Sequence, residues 1–232
     1  MIEIRFCRLD SDFYRRISPM TTFFYLHGLA SSPQSNKAQF FKQCFEQRGL
    51  SLQIPDLNQN DFFHLTLTRQ IQQVQAELPS TPVTMLGSSL GALTALWVAE
   101  QSPQIQRLVL LAPALNFLTH GIAAIGEAAV AQWRSQRELA LFHYAEQRDR
   151  LLSYAFIQDM HQYMDANLQR RVPTLMLHGR FDEVISIQSC RDFAAARSWI
   201  QFIEFDSDHS LNDVQALLWQ ATEEFLFDPK TA

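Results

Sequence analysis

One short stretch of this chain carries a serine in a setting that suits nucleophilic chemistry. Residues 87–91, Gly-Ser-Ser-Leu-Gly, fit the pattern G-x-S-x-G, in which the central serine occupies a strained turn between a strand and a helix and can attack a substrate carbonyl. Side chains at Gly87 or Gly91 would collide with the strand or helix, so steric constraints explain why both positions are glycine. The pattern alone also fits a small-residue turn between two buried elements, so Ser89 needs partners elsewhere in the chain.

A serine hydroxyl needs two further groups to act as a nucleophile at neutral pH. An imidazole must take its proton, and a carboxylate must orient that imidazole and stabilise the charge it gains. Asp182 and His209 follow Ser89 in the order serine, acid, histidine that α/β-hydrolases use. We therefore predict a catalytic triad of Ser89, Asp182 and His209, with Glu183 as the competing acid.

The positions of Asp182 and His209 relative to predicted strands support this choice. Asp182 comes just beyond a buried strand at 172–177, and parallel sheets place functional groups at the carboxyl ends of strands. The alternative is a turn aspartate that caps the helix beginning near Ser186. His209 is the only one of seven histidines in a loop after the final predicted strand, 200–205.

The other six histidines are expected to have structural and not catalytic roles. His27 and His178 each precede a glycine at a strand end, where turn or hydrogen-bonding roles are usual. The remaining four lie on or beside predicted helices, where a solvated or partly buried role is expected: His64, His120, His143 and His161.

The oxyanion formed by serine attack needs hydrogen-bond donors. We expect them to be the backbone N–H groups of Leu90, next after the nucleophile, and of Leu29, in the loop after the first buried strand. Polar side chains in that loop could contact a polar or anionic part of the substrate, although the favoured interpretation is that they cap and anchor the following helix: Ser31, Ser32, Ser35 and Lys37.

The elements that must position these residues alternate along the chain. Apolar strands are predicted over 22–26, 50–57, 82–86, 107–112, 172–177 and 200–205, and helices over 35–48 and 64–78, after Ser89, near Ser186 and after His209. Continuous apolar strands belong to a sheet covered on both faces. Their alternation with helices predicts an α/β fold with a mostly parallel sheet, flanked by helices and joined by right-handed crossovers.

Residues 114–171 interrupt this alternation. They contain no recognised strand-like run, and a connection of this length normally carries structure of its own. We predict a helical cap inserted before the strand that carries the catalytic acid. Its aromatic side chains are expected mainly to pack the cap onto the body, with a minority lining an apolar pocket: Phe117, Trp133, Phe142, Tyr154, Phe156 and Tyr163.

Residues 1–232 are thus predicted to form a single domain that includes the cap. Residues 1–19 carry little pattern beyond a candidate edge strand at 2–6, and could be an N-terminal extension.

The motifs resemble those of the α/β-hydrolase superfamily and, more narrowly, of small bacterial YqiA-type esterases. In those proteins a strand ending in His-Gly or Gln-Gly leads into a Ser-Ser-Pro-x-Ser-x-Lys loop, and residues 25–38 here read YLHGLASSPQSNKA. The resemblance covers 22–113 and 172–212 and is absent from the cap. It implies an α/β-hydrolase fold and hydrolysis of short to medium acyl esters, with the three residues above as the catalytic residues.

Composition narrows the function classes. Hydrophobic residues make up 47% of 232 residues, which indicates an ordered globular protein. A net charge of -5 without long charged runs argues against nucleic-acid binding and against a polybasic patch that binds membranes. Cys7, Cys44 and Cys190 lack the spacing of a metal site or disulfide framework, and are interpreted as reduced cytosolic thiols. No signal peptide and no apolar run of the roughly 20 residues needed to span a membrane is recognised.

The sequence therefore predicts a cytoplasmic serine hydrolase that cleaves a carboxylic ester or thioester through an acyl-Ser89 intermediate. No metal or organic cofactor is implied, and the expected partner is a small-molecule substrate with an apolar acyl part, without stable membrane insertion. A carbon–carbon bond hydrolase or an acyltransferase would use the same residues. A catalytically inactive ligand-binding homologue is the alternative from another class. The sequence assigns neither substrate-binding residues nor an oligomeric state.

Overall fold

A six-stranded parallel sheet lies at the centre of the protein, whose computed structural model describes residues 21–227, without the side chains of residues 120 and 124. Its strands run in the spatial order β2-β1-β3-β4-β7-β8, and neighbouring strands pair in parallel. They are β1 (Thr22–Leu26), β2 (Leu52–Gln53), β3 (Val83–Ser88), β4 (Ile105–Leu111), β7 (Thr174–Gly179) and β8 (Ile200–Phe205).

Helices cover both faces of the sheet, which confirms the predicted fold class. They are α1 (Asn36–Gln47), α2 (Leu67–Glu77), α3 (Leu90–Gln101), α7 (Ile187–Ala195) and α8 (Gln215–Phe227). Alternate strand residues face opposite sides: Phe23 and Tyr25 pack with α1 and α8, whereas Phe24 and Leu26 pack with α2, α3 and α7. Burial on both faces explains why the inner strands β1, β3 and β7 are mainly apolar.

Two predicted boundaries differ from the structure for local reasons. The predicted strand 50–57 pairs only at Leu52–Gln53, because Pro55 has no N–H to donate and the N–H of Leu57 donates to His27 Nε2 (3.0 Å). The predicted helix 64–78 begins at Leu67, because Thr66 is its N-cap and accepts from Arg69 N.

The insertion between β4 and β7 is helical in part. It contains α4 (His120–Ile125), α5 (Glu127–Gln136), α6 (Ala155–Met160) and the antiparallel hairpin β5 (Glu138–His143) and β6 (Arg148–Ser153). The prediction that the cap lacks strands is therefore wrong over 138–153. The missed pattern is a period of two, in which Leu139, Leu141 and His143 face inward and Ala140 and Phe142 are exposed.

Most of the cap aromatics pack as predicted. Trp133 is fully buried, stacks on Phe156 (6.3 Å between ring centroids, 11° between planes) and donates its indole N–H to Leu152 O (2.9 Å). Tyr163 meets Trp97 of α3 edge to face, with 5.0 Å between centroids. Phe142 is the exception, because it is 45% exposed.

Some sequence-based expectations lie outside the described residues. Residues 1–19, interpreted as an extension with an edge strand at 2–6, belong to this group, as does Cys7. Cys44 and Cys190 are free thiols. None of the helices within 21–227 combines the length and apolar character that crossing a membrane requires.

Candidate active site

Ser89 occupies a strained turn between β3 and α3. Its backbone has φ 53° and ψ −117°, a combination that residues with a side chain rarely adopt. Surrounding hydrogen bonds hold it there: Ser89 N donates to Leu111 O (2.9 Å), and Ser89 O accepts from Ala92 N (3.0 Å) and Ala114 N (3.2 Å). The turn has the predicted strand–serine–helix arrangement.

The two glycines of this turn are required sterically, as the sequence predicted. A Cβ at Gly91 would overlap the carbonyl oxygens of Leu26 and His27 at the end of β1. A Cβ at Gly87 would lie 2.6 Å from Gly91 O. The start of α3 therefore packs backbone against backbone onto β1.

The three residues predicted to act together form one hydrogen-bonded series. His209 Nε2 lies 3.1 Å from Ser89 Oγ, and His209 Nδ1 lies 2.7 Å from Asp182 Oδ2. They follow β3, β7 and β8, and so meet at the carboxyl edge of the sheet. The Asp182 side chain is fully buried, while the His209 side chain is 20% exposed.

The Asp182 carboxylate is held by hydrogen bonds on both oxygens. Oδ1 accepts from the N–H groups of Val184 (2.9 Å) and Ile185 (2.8 Å). Burial raises the Asp182 pKa, but hydrogen bonds from His178 and His209 outweigh burial, and the net pKa lies well below its usual range. Asp182 is therefore ionised at neutral pH.

Glu183, the competing acid, takes no part in this series. Its side chain is exposed and makes no hydrogen bond to His209 among the contacts of residues 21–227.

His178 is a site residue that the sequence interpretation missed. Its Nε2 lies 3.0 Å from Asp182 Oδ2, and its side chain is fully buried. Nδ1 has no partner within the described residues, so a proton on Nε2 leaves only an acceptor unpaired and lets Nε2–H donate to Asp182. The available signal was a histidine four residues before the acid at the end of a buried strand.

Gly179 brings the histidine loop against the end of β7. A Cβ at Gly179 would overlap the carbonyl oxygens of Ser207 and Asp208, which immediately precede His209. This close backbone contact fixes the distance between the loops that carry Asp182 and His209.

The amides predicted to bind an oxyanion lie beside Ser89. Leu90 N is at the start of α3, and Leu29 lines the cavity above Ser89. Neither N–H has a hydrogen-bond partner in the described part of the chain. The neighbouring Gly28 packs over Ser89, since an added Cβ there would lie 3.4 Å from Ser89 Cβ.

His27 and the cap brace the loop that carries Leu29. His27 Nδ1 lies 2.9 Å from Gly28 O, while Nε2 accepts from Leu57 N, so His27 has the predicted hydrogen-bonding role. From the tip of the cap hairpin, Tyr144 N donates to Ala30 O (2.9 Å). The cap is thus bonded directly to the loop above Ser89.

The polar side chains of this loop depart from the favoured interpretation of helix capping. Ser35 occupies the N-cap position of α1, but its hydroxyl makes no capping hydrogen bond. Lys37 Nζ donates to the carbonyl of Ser210, next to His209. Lys37 therefore joins α1 to the histidine loop instead of stabilising its own helix.

A cavity of about 600 Å³ opens above Ser89 and His209. Hydroxyl and amide groups form much of its wall, and include Ser31, Gln34, Ser35, Asn36, Gln147 and Asn212. Leu29, Ala145 and Val184 supply apolar surface. No cluster of three potential metal ligands occurs among the side chains described in 21–227.

Comparisons with known proteins agree on the fold. The model of an uncharacterised protein family, UPF0227, matches residues 22–226. No curated protein matches the chain.

Several solved structures are similar. Alpha/beta hydrolase domain-containing protein 10 from mouse superposes with a TM-score of 0.71 at 19% identity, covering 88% of this chain and 89% of its own. Est1E from Butyrivibrio proteoclasticus with bound ferulic acid has a TM-score of 0.74 at 17% identity, covering 94% and 93%. A putative hydrolase from Agrobacterium vitis S4 has a TM-score of 0.73 at 18% identity, covering 89% and 88%. At these identities the likeness shows the α/β-hydrolase fold that the sequence predicted.

Proposed function

The chain belongs to the uncharacterised protein family UPF0227, and we propose that it is a serine hydrolase that cleaves a carboxylic ester or thioester through an acyl-enzyme on Ser89. The observation that carries this proposal is the hydrogen-bonded series of Asp182, His209 and Ser89, with distances of 2.7 and 3.1 Å. Those distances lie within the range that proton transfer between side chains requires.

In the first half of the reaction Ser89 Oγ attacks the carbonyl carbon while its proton passes to His209 Nε2. The N–H groups of Leu29 and Leu90 donate hydrogen bonds to the developing oxyanion. The tetrahedral intermediate then breaks its bond to the alcohol or thiol, which leaves with the proton from His209. The acyl group remains on Ser89.

In the second half a water molecule replaces the leaving group. His209 Nε2 takes a proton from this water as it attacks the acyl carbon, and returns that proton to Ser89 Oγ when the acyl–oxygen bond breaks. The ionised Asp182 holds Nδ1–H and stabilises the imidazolium in both halves. The buried His178 donor keeps Asp182 in place, which makes His178 a positioning residue.

A fluorophosphonate probe tests the proposal, because it phosphonylates an activated serine. We expect label on Ser89 alone, located by peptide mass spectrometry, and no label in Ser89→Ala. Ser88→Ala removes the neighbouring hydroxyl of the motif and should leave the labelled position unchanged. A folded protein that takes no label would contradict the proposal and favour a ligand-binding homologue.

The products of an aryl ester separate hydrolysis from its alternatives on the same residues. Release of one free acid per chromophore supports a hydrolase. Transfer of the acyl group to an added alcohol or thiol instead of water would favour an acyltransferase.

A further inference from the structure

Lys37 places an ammonium group in the wall of the cavity above Ser89. It lies in the first turn of α1 and lines the same cavity as Ser89 and His209. Its Nζ donates to Ser210 O, and no carboxylate oxygen of residues 21–227 lies within 4.0 Å of it. An ammonium carries three N–H donors, so two of them have no acceptor among residues 21–227.

Other donors bond one oxygen of Asp208 and both oxygens of Asp182. Asp208 Oδ1 accepts from Ser210 Oγ (2.6 Å), Ser210 N (2.8 Å) and Leu211 N (3.2 Å). Asp182 is held by two imidazoles and two backbone N–H groups. Glu183 lies at the exposed rim. A partly buried ammonium without a contacting carboxylate loses hydration that no charge partner replaces, and a bound anion would offset this cost.

Lys37 keeps its charge at neutral pH. Burial lowers its pKa to about 8, while the charges of Asp208 and Asp182 oppose that shift. Most of the population is therefore protonated at pH 7.

The same wall of the cavity contains hydroxyl groups that are free to donate a hydrogen bond. Neither Ser31 Oγ nor Ser35 Oγ has a hydrogen-bond partner among the described contacts. The Ser32 hydroxyl accepts from Gln34 N (3.1 Å) and keeps its own proton free to donate. Together with the ammonium these groups form a set of donors that suits the oxygens of an anion. An alkyl chain laid against them would remove water and give no hydrogen bond in return.

We propose that the substrate carries an anionic group, a carboxylate or a phosphate, that pairs with Lys37 while its ester or thioester carbonyl lies at Ser89. This inference rests on the proposed serine hydrolase function and names the substrate class for it. It departs from the expected apolar acyl part and follows the alternative, left open by the sequence, that polar side chains of this loop contact an anionic part of the substrate. The competing explanation is that Lys37 serves only to tether the His209 loop through Ser210.

Matched substrates test the proposal. The neutral reference is 4-nitrophenyl methyl adipate, and its anionic counterpart is 4-nitrophenyl hydrogen adipate. A 4-nitrophenyl ester of 6-phosphonooxyhexanoic acid separates phosphate from carboxylate, and glutarate to suberate monoesters vary the reach. The measured quantity is the ratio of kcat/KM for the anionic ester to that for the neutral ester, because a general effect on the histidine loop cancels in this ratio.

Variants of Lys37 and Lys42, which both lie on α1, test whether a preference for the anionic ester depends on Lys37. We expect the wild type to favour an anionic ester by about tenfold or more, the gain typical of a charge-assisted hydrogen bond. Lys37→Met should bring the ratio to one or below, and Lys37→Arg should keep most of the preference. Lys42→Met, which removes an exposed lysine paired with Glu46 (3.9 Å), should leave the ratio unchanged.

Other outcomes show whether the anion site or the proposed hydrolase function is wrong. An unchanged ratio in Lys37→Met, or an equal fall for both esters, would overturn the anion site and favour the tether. Hydrolysis that persists in Ser89→Ala would instead overturn the proposed function. Calorimetry on the Ser89→Ala variant measures ligand binding without turnover. Monomethyl adipate should bind more tightly than dimethyl adipate when Lys37 is present, and no more tightly when Lys37 is also replaced by methionine. Equal binding of both probes would again contradict the proposal.

Discussion

Replacing His178 with phenylalanine tests whether this buried histidine holds the Asp182 carboxylate in place. The substitution keeps a planar ring in a fully buried position but removes the Nε2 donor, which lies 3.0 Å from Asp182 Oδ2. It also removes the weaker contact of Nε2 with Ile185 O at 3.2 Å. Asp182 keeps its bond from His209 and its two backbone donors, so the carboxylate is loosened and not released.

The expected size follows from the loss of one hydrogen bond to a charged group. Such a bond contributes about 1.5–3 kcal/mol, and we expect the unfolding free energy to fall by roughly that amount. Only part of this energy acts on the position of His209, so kcat should fall by about tenfold, which corresponds to ~1.4 kcal/mol. KM should change little, because His178 does not line the cavity.

The assay compares four proteins with one aryl ester. Wild type, His178→Phe and His178→Gln are measured with His161→Phe, which alters an exposed histidine at the end of α6. The glutamine amide N–H can reach the carboxylate, so His178→Gln should recover much of kcat, and His161→Phe should match the wild type. A folded His178→Phe protein with kcat within twofold of wild type would refute the positioning role.

Three further changes probe the rest of the site. Leu29→Pro removes one oxyanion donor, so kcat should fall by roughly a hundred- to a thousandfold with unchanged circular dichroism; an unaltered kcat would remove Leu29 from the site. Gly91→Ala forces a Cβ onto the carbonyls of Leu26 and His27, so urea denaturation should show a loss of about 2 kcal/mol or more; a loss below 0.5 kcal/mol would contradict the packing. The folded Asp182 pKa lies below its unfolded value, so its contribution to stability is full above about pH 5 and declines as pH falls further. The stability difference between wild type and Asp182→Asn should therefore shrink between about pH 5 and pH 2 in urea titrations, and a constant difference would contradict the low pKa.

The sequence predicts the sheet and the three proposed catalytic residues because local patterns determine them. Continuous apolar strands locate the carboxyl edge of a parallel sheet, and Ser89, Asp182 and His209 each follow such a strand. Gly87 and Gly91 add a steric requirement that depends only on the turn.

The same local patterns could not predict contacts between segments that are far apart in the sequence. Lys37 meets Ser210 across 173 residues of sequence, so its local position suggested helix capping and anchoring or a substrate contact, but not the bond to the His209 loop. His178 precedes a glycine at a strand end, which fits a turn residue, and its role depends on how the next loop folds back. In the hairpin at 138–153 burial alternates but residue type does not, because the exposed positions Ala140 and Phe142 are apolar like their more buried neighbours. The charged residues Arg148 and Arg150 obscure the second strand.

The central claim is that Ser89 becomes acylated during turnover, and rapid-quench mass spectrometry tests it most directly. The enzyme is mixed with excess 4-nitrophenyl acetate, quenched during the first turnover and digested. The account predicts one acetyl group on the peptide that contains Ser89, formed at the rate of the chromophore burst and lost as free acetate appears. Turnover with no acyl group on Ser89, or with the acyl group on another residue, would contradict it.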